Sequence, residues 1–251
     1  MVRMIQELLP KIAELKKQID ARGALSDALQ KNLDAWYKVE LTYTSNALEG
    51  NTLTRQETAL LIEKGITPEG KTITESLEAE NHAKAVDFVR IFTAKNKRAS
   101  DITLPVLLDI HRLILQKIDD ANAGRLRTVP VRVAGSTTIF PNSAKVPSLM
   151  DEMLAWLHTA PLDATRIAVE AHYRLVTIHP FVDGNGRVAR LLLNVLLMQS
   201  GYPPIIVDNT LRKEYLTALE MAQTEGNKET YEAFMYRRII DSLGQYLKSV
   251  E

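Results

Sequence analysis

Two apolar helical stretches separated by a short polar loop constrain this chain more than any other feature. Residues 168–178 read as an apolar helix that must stop before Pro180, because a residue preceding proline disfavours helical geometry. After a loop, residues 188–198 are aliphatic at nearly every position, and a helix apolar all round is normally buried. The pair therefore sits in the core and presents the loop between them at its edge. Arg187, Arg190 and Asn194 nonetheless fall at i, i+3 and i+7, on one narrow stripe of the second helix. Buried guanidinium groups are costly without a counter-charge, so the stripe requires an anion.

The remaining sequence is largely helical in period. Ile5, Leu8, Leu9, Ile12, Leu15 and Ile19 repeat at helical spacing with charges between them. Further helices are expected over 26–47, 55–64, 74–94, 104–118, 146–158, 163–177, 187–200, 212–224 and 228–248. One segment departs from this: Val129, Val131 and Val133 alternate with Pro130 and Arg132, and a Gly135-Ser136 turn leads into Thr137, Thr138 and Ile139. Such alternation around a turn predicts a short β-hairpin. The fold class is all-α with one hairpin. The surface loop 65–71 divides an N-terminal helical region, 1–73, from a core of 74–251.

At 251 residues, 45% hydrophobic and 25% charged, the chain has an ordinary globular composition, which excludes disordered and collagen-like classes. Lysine plus arginine number 31 and aspartate plus glutamate 31, so no global basic field draws it to nucleic acid or anionic lipid. It has no cysteine, which excludes disulfides, thiolate metal sites and cysteine nucleophiles. Charges at Glu7, Lys11, Glu14, Lys16 and Lys17 interrupt the N-terminal stretch, so no signal peptide or membrane span is expected there. The expected location is cytoplasmic.

The loop concentrates the chemistry. Gly184 and Gly186 flank Asn185, and the following helix aims its positive end at the same place, making an anion hole. His179 can take a proton near neutral pH. A lone carboxylate such as Asp183 beside phosphates is the usual way Mg²⁺ is held. These parts fit phosphoryl or nucleotidyl transfer. A P-loop is excluded because no lysine follows Gly186, and an EF-hand because Arg187 and Val188 stand where its later positions need an acceptor and glycine.

Residues 179–190 resemble the signature of the Fic family, H-x-F-x-[DE]-G-N-G-R-x-x-R, with all eight specified positions matched in a twelve-residue frame. The resemblance implies a Fic-fold helical bundle with a hairpin flap, and a Mg²⁺-dependent adenylyltransferase moving AMP from ATP to a Ser, Thr or Tyr hydroxyl of a protein target. It implies His179 as general base and Asp183 as the Mg²⁺ carboxylate. Gly184, Asn185 and Gly186 would cradle phosphates, Arg187 and Arg190 would contact the β- and γ-phosphates, and Gln223 would meet the adenine. The flap residues Thr137, Thr138 and Ile139 would dock the target by strand addition.

Upstream, Ser45, Glu49 and Gly50 end a helical stretch. Taken alone they are a helix end with a glutamate. Beside the loop they resemble the inhibitory motif [ST]-x-x-x-E-[GN] of the self-inhibited class, with Glu49 pairing Arg190 in place of the γ-phosphate. The same carboxylate could instead orient a water to remove AMP from a modified target, and a catalytically quiet nucleotide-sensing protein is the third reading. Self-modification and a homodimer stay open.

Overall fold

The computed structural model describes residues 2–250. The N-terminal and C-terminal residues of the two expected regions, Met1 and Glu251, lie outside the described residues.

The helices are α1 (Val2–Ala21), α2 (Asp27–Leu48), α3 (Arg55–Lys64), α4 (Ile73–Lys95), α5 (Leu104–Leu115), α6 (Val146–Thr159), α7 (Ala164–Ile178), α8 (Asn185–Gln199), α9 (Arg212–Glu225) and α10 (Glu229–Ser249). At the centre α8 packs along α7, with α4 and α5 against its other side, while α1 lies along α10 and α2 along α4. Leu192, Leu193 and Leu197 are fully buried, as an all-round apolar helix requires. One core cluster takes Ile12, Ile19, Leu41 and Leu48 together with residues of α4 to α10, so the N-terminal helices share their interior with the rest.

Local chemistry sets the ends. Thr54 with Glu57, and Thr72 with Glu75, form capping boxes at the starts of α3 and α4. Gly65 closes α3 at φ 67°. Helix α5 stops at Leu115, three residues short of the expected end. Asn81 on α4 donates its amide to the carbonyls of Ile114 and Gln116 at 3.2 and 2.7 Å, and Lys117 turns left-handed at φ 63°. That cap comes from another helix and leaves no local trace in sequence.

The expected β-hairpin is corrected by the structure. Among the described residues there is no strand; residues 129–141 form two extended arms joined by a turn at Ala134 and Gly135. Pro130 and Pro141 remove donors from the arms, and side chains take over several of the remaining backbone groups. Glu220 of α9 accepts from the Thr137 N–H at 2.7 Å and from both the Ser136 and Thr137 hydroxyls. Arg127 donates to the carbonyls of Val129 and Pro141.

No helix among the described residues is long and apolar enough to cross a membrane.

Burial shapes the response to pH. It pushes His82 and His172 down to about 3, and His111 and His179 down to about 4, from an ordinary 6.5, so all four fold in the neutral form. The unfolded chain binds protons at these sites below its own pKa. The stabilisation is therefore complete above 6.5 and declines as pH falls towards 4. Urea titrations should give a midpoint that is flat above about pH 7.5 and falls steadily to about pH 5 with an unchanged slope m.

Candidate active site

His179 is the last link of α7 and the first of the loop. It caps the helix in the left-handed region at φ 51° and ψ 60°, donating its N–H to the Leu175 carbonyl. A non-glycine residue pays strain there, and such strain gathers at functional sites. Pro180 blocks continuation of the helix, and Arg127 locks the turn by donating from Nε to the His179 carbonyl at 2.7 Å. The imidazole stacks on Phe140 at 4.0 Å. Its Nδ1 lies 3.2 Å from the Val176 carbonyl, which can only accept, so Nδ1 carries the hydrogen and Nε2 keeps its lone pair. Burial lowers its pKa to about 4, the Val176 bond opposing this, so the ring is neutral at physiological pH.

Asn185 staples the loop. Its amide accepts from the Phe181 N–H and donates to the Phe181 carbonyl, both at 2.9 Å, closing the chain on itself. Gly184 takes the α8 N-cap at φ 77° and offers no capping side chain, so the first-turn N–H groups of α8 stay available to an anion. Gly186 leaves room for the ion pair: a Cβ there would lie 2.4 Å from Glu49 Oε1 and 2.9 Å from Arg190 Nη1, so a larger residue would push the two side-chain ends aside.

Arg190, 6% exposed, finds its counter-charge in Glu49, the C-cap of α2. It donates to Glu49 Oε1 at 2.6 Å, to the Ser45 hydroxyl from Nε at 3.0 Å and to the Ser45 carbonyl at 3.0 Å. Burial alone would lower its pKa, but the Glu49 carboxylate and the Tyr215 hydroxyl hold it above the ordinary value. Gly50, at φ 102°, releases the chain immediately after Glu49. Arg187 is buried behind the loop, bridging Glu78 at 3.2 Å and Asp183 at 2.9 Å. Asn194 donates to the Ile205 carbonyl and accepts from its N–H. Each polar residue of the α8 stripe therefore has a partner within the chain.

These elements enclose a cavity of about 180 Å³ lined by Glu49, His179, Gly186, Arg190, Tyr215 and Gln223, with the turn at residues 133–136 and Phe140 as its outer wall. Gln223 faces it from α9, accepting from the Thr138 hydroxyl at 3.2 Å. Thr137 is held by Glu220, and Ile139 is 78% exposed. Arg187 does not line the cavity.

Sequence reasoning passed over His111 and gave Arg127 no role. Gly124 N–H donates to His111 Nδ1 at 2.9 Å, so Nε2–H donates to the Asp183 carbonyl at 3.0 Å. The ring also stacks on Phe181 at 3.8 Å. His111 lies 72 residues from Asp183 in sequence, so spacing gave no signal.

The donor set fits a magnesium ion carried in with phosphates. Asp183 is a single carboxylate with 64% of its side chain exposed, beside an uncapped helix start. Among the described residues no group of three or more His, Asp or Glu side chains could hold a metal by itself.

The class of protein follows from comparison. Residues 101–197 match the Fic/DOC family, so the chain carries a Fic domain. It is 33% identical over 229 residues to protein adenylyltransferase fic-1 of Caenorhabditis elegans, covering 90% of this chain and 44% of that one. The solved structure of Fic-1 (aa134–508) from C. elegans superposes with TM-score 0.84 at 28% identity, covering 98% of this chain and 71% of that one. A Fic domain containing signaling protein from Bacteroides thetaiotaomicron gives TM-score 0.80 at 25% identity, with coverage of 98% and 97%. The chain spans about half the length of the curated relatives it matches, between 44% and 48% for those from worms and flies.

Asn185→Ala removes both loop staples and leaves a buried N–H and carbonyl of Phe181 unsatisfied. Urea unfolding should register a loss of about 2–4 kcal/mol, beyond the few tenths typical of surface positions.

Proposed function

We propose that this chain is a protein adenylyltransferase that moves AMP from ATP to a hydroxyl side chain, held off in the observed conformation by Glu49. The supporting observation is the 2.6 Å contact between Glu49 and Arg190 inside the cavity that His179 also lines. Protein adenylyltransferase is also the printed name of the relatives that match most of this chain.

The geometry supports the following roles. His179 offers an unprotonated Nε2 to a target hydroxyl and takes its proton. The α8 N-terminus and Gly186 receive phosphate oxygens, and Arg190 is the cation a terminal phosphate would engage. Arg187 reaches phosphate only on leaving Glu78 or Asp183. Asp183 would hold Mg²⁺, which when bound neutralises charge on the phosphates. Glu49 occupies the Arg190 guanidinium, so a nucleotide entering beside it must place its phosphates elsewhere than in line for attack. Gln223 and the arm at 137–139 bound the adenine and target sides. A protein target, self-modification, a homodimer and a cytoplasmic location belong to the same reading.

A second reading rests on Glu49 itself. Its side chain is 38% exposed and lines the cavity, where the carboxylate could orient a water for removal of AMP from a modified target.

The test is transfer of α-labelled ATP to protein with Mg²⁺. Glu49→Gly should label strongly, the unaltered chain weakly, and Glu49→Gly/His179→Ala about 10²-fold less than the single variant. Equal labelling of the unaltered chain and Glu49→Gly sinks the inhibitory role. Release of AMP from a pre-labelled target, lost on Glu49 substitution, favours the second reading.

Acid dependence offers a separate check. A base must be unprotonated, and His179 has its pKa lowered to about 4 by burial. Initial rates of Glu49→Gly should show no protonation step near 6.5 and should fall only as pH approaches about 4.

A further inference from the structure

A loop that receives an anion needs more than donors. Its carbonyl oxygens carry partial negative charge and have to be turned away. In the loop that follows α7 they are taken one after another. Arg127 holds the His179 carbonyl with Nε at 2.7 Å and the Pro180 carbonyl with its backbone N–H at 2.9 Å. Asn185 holds that of Phe181 at 2.9 Å. The Asp183 carbonyl belongs to the peptide that enters the α8 N-cap, and its partner is His111 of α5 at 3.0 Å.

His111 has one way to serve there. The Gly124 N–H lies 2.9 Å from Nδ1 and can only donate, so Nδ1 is bare, the ring is neutral and its hydrogen sits on Nε2, facing Asp183. Stacking on Phe181 at 3.8 Å and 9° fixes the ring plane. His111 is fully buried, so no bulk water competes for either bond. Gly124 delivers its N–H from a left-handed φ of 72°, so close to α5 that a Cβ would lie 3.0 Å from Arg112 Cβ and 3.1 Å from the Leu108 carbonyl oxygen. Residues 124–127 thus hold the loop at both ends, through Arg127 at its start and through His111 at its close.

A trans peptide is planar, with its C=O and N–H pointing in opposite directions. No peptide among the described residues is cis, so drawing the Asp183 oxygen towards α5 turns the Gly184 N–H away from α5. That N–H meets no backbone acceptor among the described residues and stands beside the uncapped first turn of α8. We propose that His111 is a positioning residue for the anion hole: as the Nε2–H tautomer selected by Gly124, it anchors the Asp183 carbonyl and so aims the Gly184 N–H at the bound anion. The other tautomer would set N–H against N–H at Gly124 and lone pair against lone pair at Asp183, leaving the peptide free to turn its oxygen to the anion. That the anion is a phosphate of ATP rests on the function proposed above; the aim of the peptide does not.

Two measurements test this. Long-range ¹⁵N–¹H correlation on the unaltered chain reads the His111 tautomer directly. Hydrogen on Nε2 is expected, and hydrogen on Nδ1 overturns the proposal. Calorimetric titration with ATP and Mg²⁺ then compares Glu49→Gly with Glu49→Gly/His111→Phe and Glu49→Gly/His111→Gln, each checked for an intact thermal transition. His111→Phe keeps a ring against Phe181 but has no donor, and should raise Kd about tenfold, the worth of one hydrogen bond to a charged group. His111→Gln loses the ring but returns an N–H near the Nε2 position, and should recover most of that affinity. A role in packing alone predicts the reverse order, so equal affinities or weaker binding by the Gln variant overturns the proposal. Should Glu49→Gly itself fail to bind ATP, the nucleotide reading falls, and the Gly184 amide resonance decides the rest. A shift in His111→Phe that His111→Gln restores supports the aimed peptide, and an unmoved resonance overturns it. Should a variant fail to fold, the tautomer in the unaltered chain decides.

Discussion

A guanidinium buried in an apolar helix has to be matched by negative charge, and much of this molecule is arranged to do so at Arg190. Helix α8 cannot expose the residue without exposing its leucines, and it cannot bury it unpaired at tolerable cost. The chain meets the demand with Glu49 from a helix 141 positions earlier. That match explains why α2 ends where it does. Ser45 and Glu49 fall one turn apart on the same face, and Gly50 lets the backbone leave before a further residue can crowd Gly186. A contact that satisfies a buried charge is also one that a phosphate can contest, since both offer oxygens to the same fork of donors. On the function proposed above, the pair that satisfies the buried charge is also the one that restrains the site.

The loop at residues 179–190 shows how little of its precision is local. Asn185 ties it to Phe181 from within, which the sequence motif already contains. Arg127 and His111 tie it from outside, through the carbonyls of His179 and Asp183. Backbone carbonyls carry no residue-specific signature, so a side chain that serves one is invisible to pattern reading. Both residues are built into the scaffold before any ligand arrives, which suits a site that acts by positioning.

Period and spacing made the helices legible because the apolar positions recur faithfully; the 55–64 helix was bounded to the residue. Spacing puts the α8 start at 187, two residues late, since Gly184 acts as N-cap by backbone conformation alone. The hairpin was misread for a related reason. Alternating valines signal extended backbone, but extended backbone pairs only if its partner strand supplies donors and acceptors; here Glu220, 83 positions from Thr137, supplies the acceptor for its N–H, and Arg127 donates to the Val129 and Pro141 carbonyls. The stripe of Arg187, Arg190 and Asn194 correctly announced a need for anions, and the chain provides carboxylates for both arginines. What spacing could not convey was that Arg187 is spoken for by Glu78 and Asp183.

The left-handed backbone of His179 bears on how such a chain changes over generations. Histidine is held at φ 51° against its own preference, at a cost of about 1 kcal/mol that glycine would not incur. Selection for chemistry opposes selection for a comfortable backbone at one and the same residue. A lineage released from the first would drift there towards glycine or asparagine and become more robust as it fell silent. Histidine at this position therefore couples an imidazole of the cavity to a backbone strain that glycine or asparagine would relieve.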